Sequence, residues 1–132
     1  MRVPSLSTKD LEAFAGFRNS AIQTGSTKFV AKLNVPVGSY AITAKLGAFS
    51  NNNDSYVEIC TLSAGGDFDR SFTRLTGSGA EQGLSHHVVH TFPSAGTIQL
   101  ECVGTSPQAS TLLEFIEITA TEVNSISNGP LS

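Results

Sequence analysis

From residue 27 onward the chain is a series of short strand-forming runs, each stopped by a glycine, proline or asparagine signal. Thr27 to Val35 and Ser39 to Leu46 are rich in Phe, Val, Ile, Leu and Tyr, and Pro36-Val37-Gly38 between them reads as a hairpin turn. Asn51-Asn52-Asn53-Asp54 reads as an exposed loop, because Asn and Asp tolerate left-handed backbone. Tyr56 to Leu62 is closed by Gly65-Gly66. Phe68 to Leu75 alternates weakly and is closed by Gly77-Ser78-Gly79. Gly83 to Phe92 is closed by Pro93-Ser94-Ala95-Gly96. Thr97 to Val103 alternates strictly, with Ile98, Leu100 and Cys102 on one face. In Leu112 to Val123 the β-branched residues outweigh the helical spacing of Glu114 and Glu117. Turns at roughly every 8 to 14 residues predict an all-β antiparallel sandwich or barrel of about seven or eight strands. The long helices that parallel strands need as crossovers are absent from the pattern.

The first 26 residues leave two readings open. Ser7-Thr8-Lys9-Asp10 resembles a capping box for a short helix through Phe14, which Gly16 interrupts. Alternatively Phe14, Phe17 and Ile22 belong to a first strand. The expected organisation is an N-terminal arm over 1–26, a sandwich over 27–123 and a tail over 124–132. Met1 to Ser7 lacks the apolar stretch of a secretory signal.

The 132 residues fit one domain. Only 14% are charged, against a typical ~25%, and 39% are hydrophobic, which excludes disorder by charge excess. No run reaches the ~18 apolar residues of a membrane helix, so no membrane partner is expected. A net charge of −3 without a basic cluster argues against nucleic acid. One strand carries apolar residues on both faces: Val57 and Ile59 on one, Tyr56, Cys60 and Leu62 on the other. A strand solvated on one side alternates more cleanly. Either another segment covers that face, or Val57 and Ile59 meet a second subunit.

Chemistry-bearing residues are few. Cys60 and Cys102 are a disulfide or two buried thiols, and a bridge would contribute about 3–4 kcal/mol by chain entropy. A reducing compartment favours the thiols and an oxidising one the bridge. His86 and His90 share a strand face but lie roughly 13 Å apart, too far for one zinc ion, and His87 points away. Asp54, Asp67 and Asp69 sit in loops without a calcium-loop spacing. No nucleophile motif such as Gly-x-Ser-x-Gly occurs. The expectation is no enzyme, no metal and no cofactor. A glycan site would have to use Tyr40, Tyr56 or phenylalanines, since Trp is absent.

Three segments carry a resemblance. They are Val35-Pro36-Val37-Gly38-Ser39-Tyr40-Ala41-Ile42-Thr43-Ala44-Lys45, Cys60-Thr61-Leu62-Ser63-Ala64-Gly65-Gly66-Asp67, and Val89-His90-Thr91-Phe92 with Gly96-Thr97-Ile98-Gln99-Leu100-Glu101-Cys102. Together they resemble a group of actinobacterial and actinophage β-proteins, similar in turn to tumour-necrosis-factor-like and complement-globular-head-like jelly rolls. The resemblance spans residues 27–123. It implies a homo-oligomer, a trimer above all, and a virion structural protein assembled in the host cytoplasm that decorates or cements a bacteriophage capsid by binding the major capsid protein. Leu11, Phe14 and Phe17 or the C-terminal tail would then clamp onto the shell. The alternative is a receptor- or glycan-binding head, as in a fibre tip or a secreted lectin-like domain.

Overall fold

The structure is a computed structural model that describes residues 10–132. Eight strands follow in order: β1 Ala13–Thr24, β2 Phe29–Val35, β3 Gly38–Ser50, β4 Tyr56–Ala64, β5 Asp67–Leu75, β6 Glu81–Phe92, β7 Gly96–Gly104 and β8 Ser110–Val123. They build two four-stranded sheets in the orders β1-β8-β3-β6 and β2-β7-β4-β5, with every pair antiparallel. No helix occurs among the described residues. This is the eight-strand jelly roll, two sheets closed over one core.

The topology corrects one expectation. Pro36-Val37 is not a hairpin turn: it carries the chain from β2 in one sheet to β3 in the other. The β6–β7 turn likewise crosses between sheets. Among the described residues the one hydrogen-bonded hairpin between consecutive strands is β4–β5, where Ala64 pairs with Asp67 across Gly65-Gly66. Gly65 has φ +60°, and a Cβ there would sit 2.3 Å from the His90 ring, so only glycine fits.

In the N-terminal segment the reading of Phe14, Phe17 and Ile22 as a first strand holds, and the helix and the arm are corrected. Residues 13–24 are neither helix nor detached arm. They form β1, in register with β8 from Ala13 opposite Thr121 to Thr24 opposite Ser110. The sandwich therefore begins at Ala13, and the capping signature at Ser7 to Lys9 falls outside the described residues. β1 is legible only through its partner, because most of its side chains are exposed.

The core lies between the sheets. Even-numbered residues of β3 (Tyr40, Ile42, Ala44, Leu46, Ala48) face Cys60, Leu62, Ile98, Leu100 and Cys102. Cys60 and Cys102 stand directly opposite each other on β4 and β7, with Cα atoms 4.1 Å apart, and form a disulfide.

In β8 the inward set changes phase, from Thr111 and Leu113 to Ile116, Ile118 and Ala120. A β-bulge causes this: the β3–β8 register shifts between Lys45 and Gly47, and Phe115 takes φ +51°. A bulky residue in that region is strained by about 1–2 kcal/mol. Phe115 is also 73% exposed, so packing does not repay the strain. Phe115→Gly is expected to raise stability by about 1 kcal/mol, or the melting midpoint by about 3–5 °C. A midpoint unchanged or lowered in a thermal melt would contradict that account of the bulge.

Candidate interaction surfaces

β5 carries its apolar side outward. Its odd positions turn toward β6, where polar partners wait. Asp67 Oδ2 lies 2.8 Å from His90 Nδ1. The backbone N–H of His87 donates to Asp69 Oδ2 at 2.9 Å. Ser71 Oγ lies 2.6 Å from His86 Nε2, which also reaches the Cys60 carbonyl at 3.2 Å. With the polar side so engaged, Phe68, Arg70, Phe72 and Arg74 face solvent. The register places Phe72 beside Ile59 and Val103, and Arg74 beside Val57. Val57 and Ile59 are half-buried on this outer face, as the sequence pattern predicts for the side away from Cys60. Arg70 donates to Thr61 Oγ1 at 3.0 Å and stands over the Phe68 ring at 5.6 Å.

A second outer surface lies on the other sheet. Ile22, Leu112 and Phe49 stand in one row across β1, β8 and β3. Beside them is a groove of 290 Å³ that Phe115 overhangs, floored by Gly47 and Gly83 and edged by Glu81 and Glu114. Glu117 continues the acidic side, opposite Phe17 on β1 and Lys45 on β3.

A third surface is the side of the sandwich where β1 approaches β2. A groove of 310 Å³ there is lined by Phe17, Arg18, Val30, Leu33 and the inner Ile116 and Ile118. Leu11 is exposed just before β1. Phe14 does not join this surface: it turns inward and stacks edge-on to Tyr40 at 6.1 Å.

Four phenylalanines are thus displayed, with exposures of 78% for Phe17, 63% for Phe68, 70% for Phe72 and 73% for Phe115. Tyr40 and Tyr56 are both buried, at 0% and 2%. Sequence reasoning missed Phe68, Phe72 and Phe115. The signal available was the Phe-Arg alternation of β5, which gives two sides but not which one is inside.

Other chemistry-bearing groups lie in the interior. His86 is buried, and burial pushes its pKa below the usual histidine range. Its Nδ1 meets no carboxylate, so Ser71 and His86 lack the third member of a nucleophilic triad. Among the described residues, no three His, Cys, Asp or Glu side chains are placed to hold a metal ion. At one end of the core Glu58 is fully buried, accepting from Thr111 Oγ1 at 2.8 Å. Burial pushes its carboxyl up to about 7 against the opposing pull of that hydrogen bond. Glu58 Oε2 and the buried Gln23 Oε1 have no hydrogen-bond partner. Both side chains converge on Gly104, where a Cβ would lie 3.3 Å from Glu58 Oε1 and 3.2 Å from Gln23 Oε1.

No protein-family model matches the chain, and no curated protein matches its sequence. Solved structures do match in fold. TmCBM61, solved in complex with β-1,4-galactotriose, aligns with a TM-score of 0.51 and 7% identity, covering 83% of this chain and 88% of that one. The T13 IBDV viral particle aligns with a TM-score of 0.54 and 10% identity, covering 92% of this chain and 35% of that one. The infectious bursal disease virus VP2 subviral particle gives 0.53 and 11%, covering 92% and 37%. The chain spans about a third of the viral proteins' length. The structural neighbours are jelly-roll carbohydrate-binding modules and viral capsid proteins, and at such identities the likeness is one of fold.

Proposed function

We propose that the chain is a structural virion protein, a capsid decoration or cement protein of a bacteriophage. It binds the shell's major capsid protein through the β1–β2 side that bears Leu11, Phe17 and Val30. The observation that carries the reading is the display of Phe17 with Leu11 and Val30 on that side, on a domain whose tyrosines are both buried. Exposed phenylalanine beside half-buried aliphatics suits burial against another protein, where aromatic anchors dominate affinity. Sugar stacking is served better by the larger amphipathic rings of Trp and Tyr, whose polar tips hydrogen-bond hydroxyls. The resemblance of residues 27–123 to actinophage β-proteins supports the same reading, and the fold, shared with capsid proteins and carbohydrate-binding modules alike, is compatible with it. The disulfide counts the other way, since an oxidising environment favours the bridge and the host cytoplasm favours thiols.

The test is the copy number of this chain in density-purified virions from the source culture, read by quantitative mass spectrometry. Hundreds of copies per particle, on the scale of the major shell protein, are expected. A handful would move the chain to a fibre tip, and none would overturn the virion reading.

One observation favours a second reading, a glycan- or receptor-binding head. A groove of 440 Å³ between β3–β6 and the β4–β5 turn sets the exposed Phe68 among Asp67, Thr43, His87 and Asn128. Saturable binding of the isolated domain on a glycan array would carry that reading, and an array without hits would remove it.

A further inference from the structure

We infer that copies of this chain associate head to tail, the β4–β5 outer face of one docking on the β8–β3–β6 outer face of the next. The inference concerns contact between copies and stands apart from what surface the assembly decorates. The two faces are complementary in charge and shape. The β5 face offers two exposed rings, Phe68 and Phe72, flanked by Arg70 and Arg74, with Val57 and Ile59 behind them. Asp67 and Asp69 turn to β6, with Asp67 bordering Phe68, and Glu101 stands across Thr61 from Arg70 but is paired with Lys28, so the face around Phe72 keeps the positive charge of Arg70 and Arg74. The facing groove on the other sheet is edged by Glu81 and Glu114, with Glu117 beyond, where Lys45 stands opposite it, so the acids at the groove itself are Glu81 and Glu114. Its floor, Gly47 and Gly83, carries no side chains, and a Cβ at Gly83 would meet nothing within 4 Å. An aromatic ring from β5 fills that space, Phe115 covers it, and each arginine finds a carboxylate.

Because the two patches differ, the contact is heterologous. Such contacts close into rings when the rotation per step divides a full turn, and otherwise run into filaments. A trimer is the ring the sequence resemblance implies.

The experiment is light scattering coupled to size exclusion on three chains: the native one, Arg70→Glu/Arg74→Glu, and Glu81→Lys/Glu114→Lys. All four positions are surface sites, and a thermal melt confirms that each variant stays folded. The native chain is expected to be oligomeric. Each variant alone is expected to be monomeric, with at least a tenfold weaker association constant. An equimolar mixture is expected to associate again, because each variant supplies the face the other has lost. A monomeric native chain would overturn the inference. So would an oligomer indifferent to both swaps, or one broken by the arginine swap alone, which would mean that the β5 face pairs with itself. Virion copy number does not enter any of these outcomes, so failure here is distinct from failure of the decoration reading.

Discussion

A Cys60→Ala/Cys102→Ala chain is expected to lose about 4 kcal/mol of stability, the largest effect of any change considered, with a melting midpoint lower by about 10–20 °C. The bridge joins residues 42 apart in sequence. Closing a loop of that length removes conformational entropy from the unfolded chain, and the stabilisation follows from the loop rather than from local contacts. Both residues are fully buried, so alanine, which brings no polar atom into the core, isolates the cross-link better than serine would. Domains of this size hold about 5–15 kcal/mol in total, which makes the loss about a quarter or more of the whole. Urea unfolding of the double variant against the oxidised native chain reads it directly. A difference under about 1 kcal/mol would mean that the unfolded chain is already compact enough for the cross-link to constrain little.

The runs from Thr27 to Val123 were legible as strands because each buries alternate side chains against one core, and alternation is local information. The pairing was not legible. In a jelly roll almost every connection crosses from one sheet to the other, so Pro36-Val37 looks like a hairpin turn and is not one. The first strand was obscured for a related reason. It is an edge strand with Phe17, Asn19 and Ser20 exposed, and its order comes from β8, a partner about a hundred residues away. The mixed pattern of the last strand reflected the bulge at Phe115, which moves the inward set by one residue. On the candidate surfaces, Val57 and Ile59 could be placed outward from Cys60 by parity. Phe68 and Phe72 could not, because hydrophobic patterning assigns aromatics to the core by default. In β5 that default fails because His86, His90 and the His87 amide take the polar side of the strand. Parity survives, and the sign of the face is decided by a neighbouring strand.

That inversion also bears on why the outer faces stay apolar. If β5 were turned over, Phe68 and Phe72 would enter the seam with β6 and leave His86 and His90 without their partners. Burial of an unpaired polar group costs about as much as an aromatic pair gains. Displayed phenylalanines are therefore compatible with a stable monomer fold, and the unpaired apolar area is available for contact between molecules. The strain held at Phe115 points the same way, since a glycine there would serve the fold better and would leave the groove uncovered.

The second large effect is on pH. Replacing Glu58 by Gln is expected to leave stability unchanged at pH 4 and to raise it by about 3 kcal/mol at pH 8. The carboxyl has an ordinary value of 4.5 and is pushed up to about 7 in the fold. Below pH 4.5 both folded and unfolded chains hold the proton, and nothing is lost. Between 4.5 and 7 the unfolded chain releases it while the folded chain keeps it, so stability falls as pH rises. Above 7 both are ionised, and the buried charge costs about 3 kcal/mol in full. Glutamine imitates the neutral acid. Its carbonyl accepts from Thr111 as the carboxyl oxygen does, and no charge is buried. His86 works in the opposite sense. Burial holds it neutral in the fold, so its contribution is present above the ordinary histidine value and is lost as pH falls through that range. The native chain therefore gains from His86 and loses from Glu58 as pH rises, and only the difference between native and Glu58→Gln isolates the carboxyl. Urea midpoints at pH 4, 6 and 8 measure that difference. A gap that widens from zero across 4.5 to 7 and then levels is the expected result, while a constant gap would mean that the carboxyl titrates alike in the folded and unfolded chains and that the gain comes from packing alone.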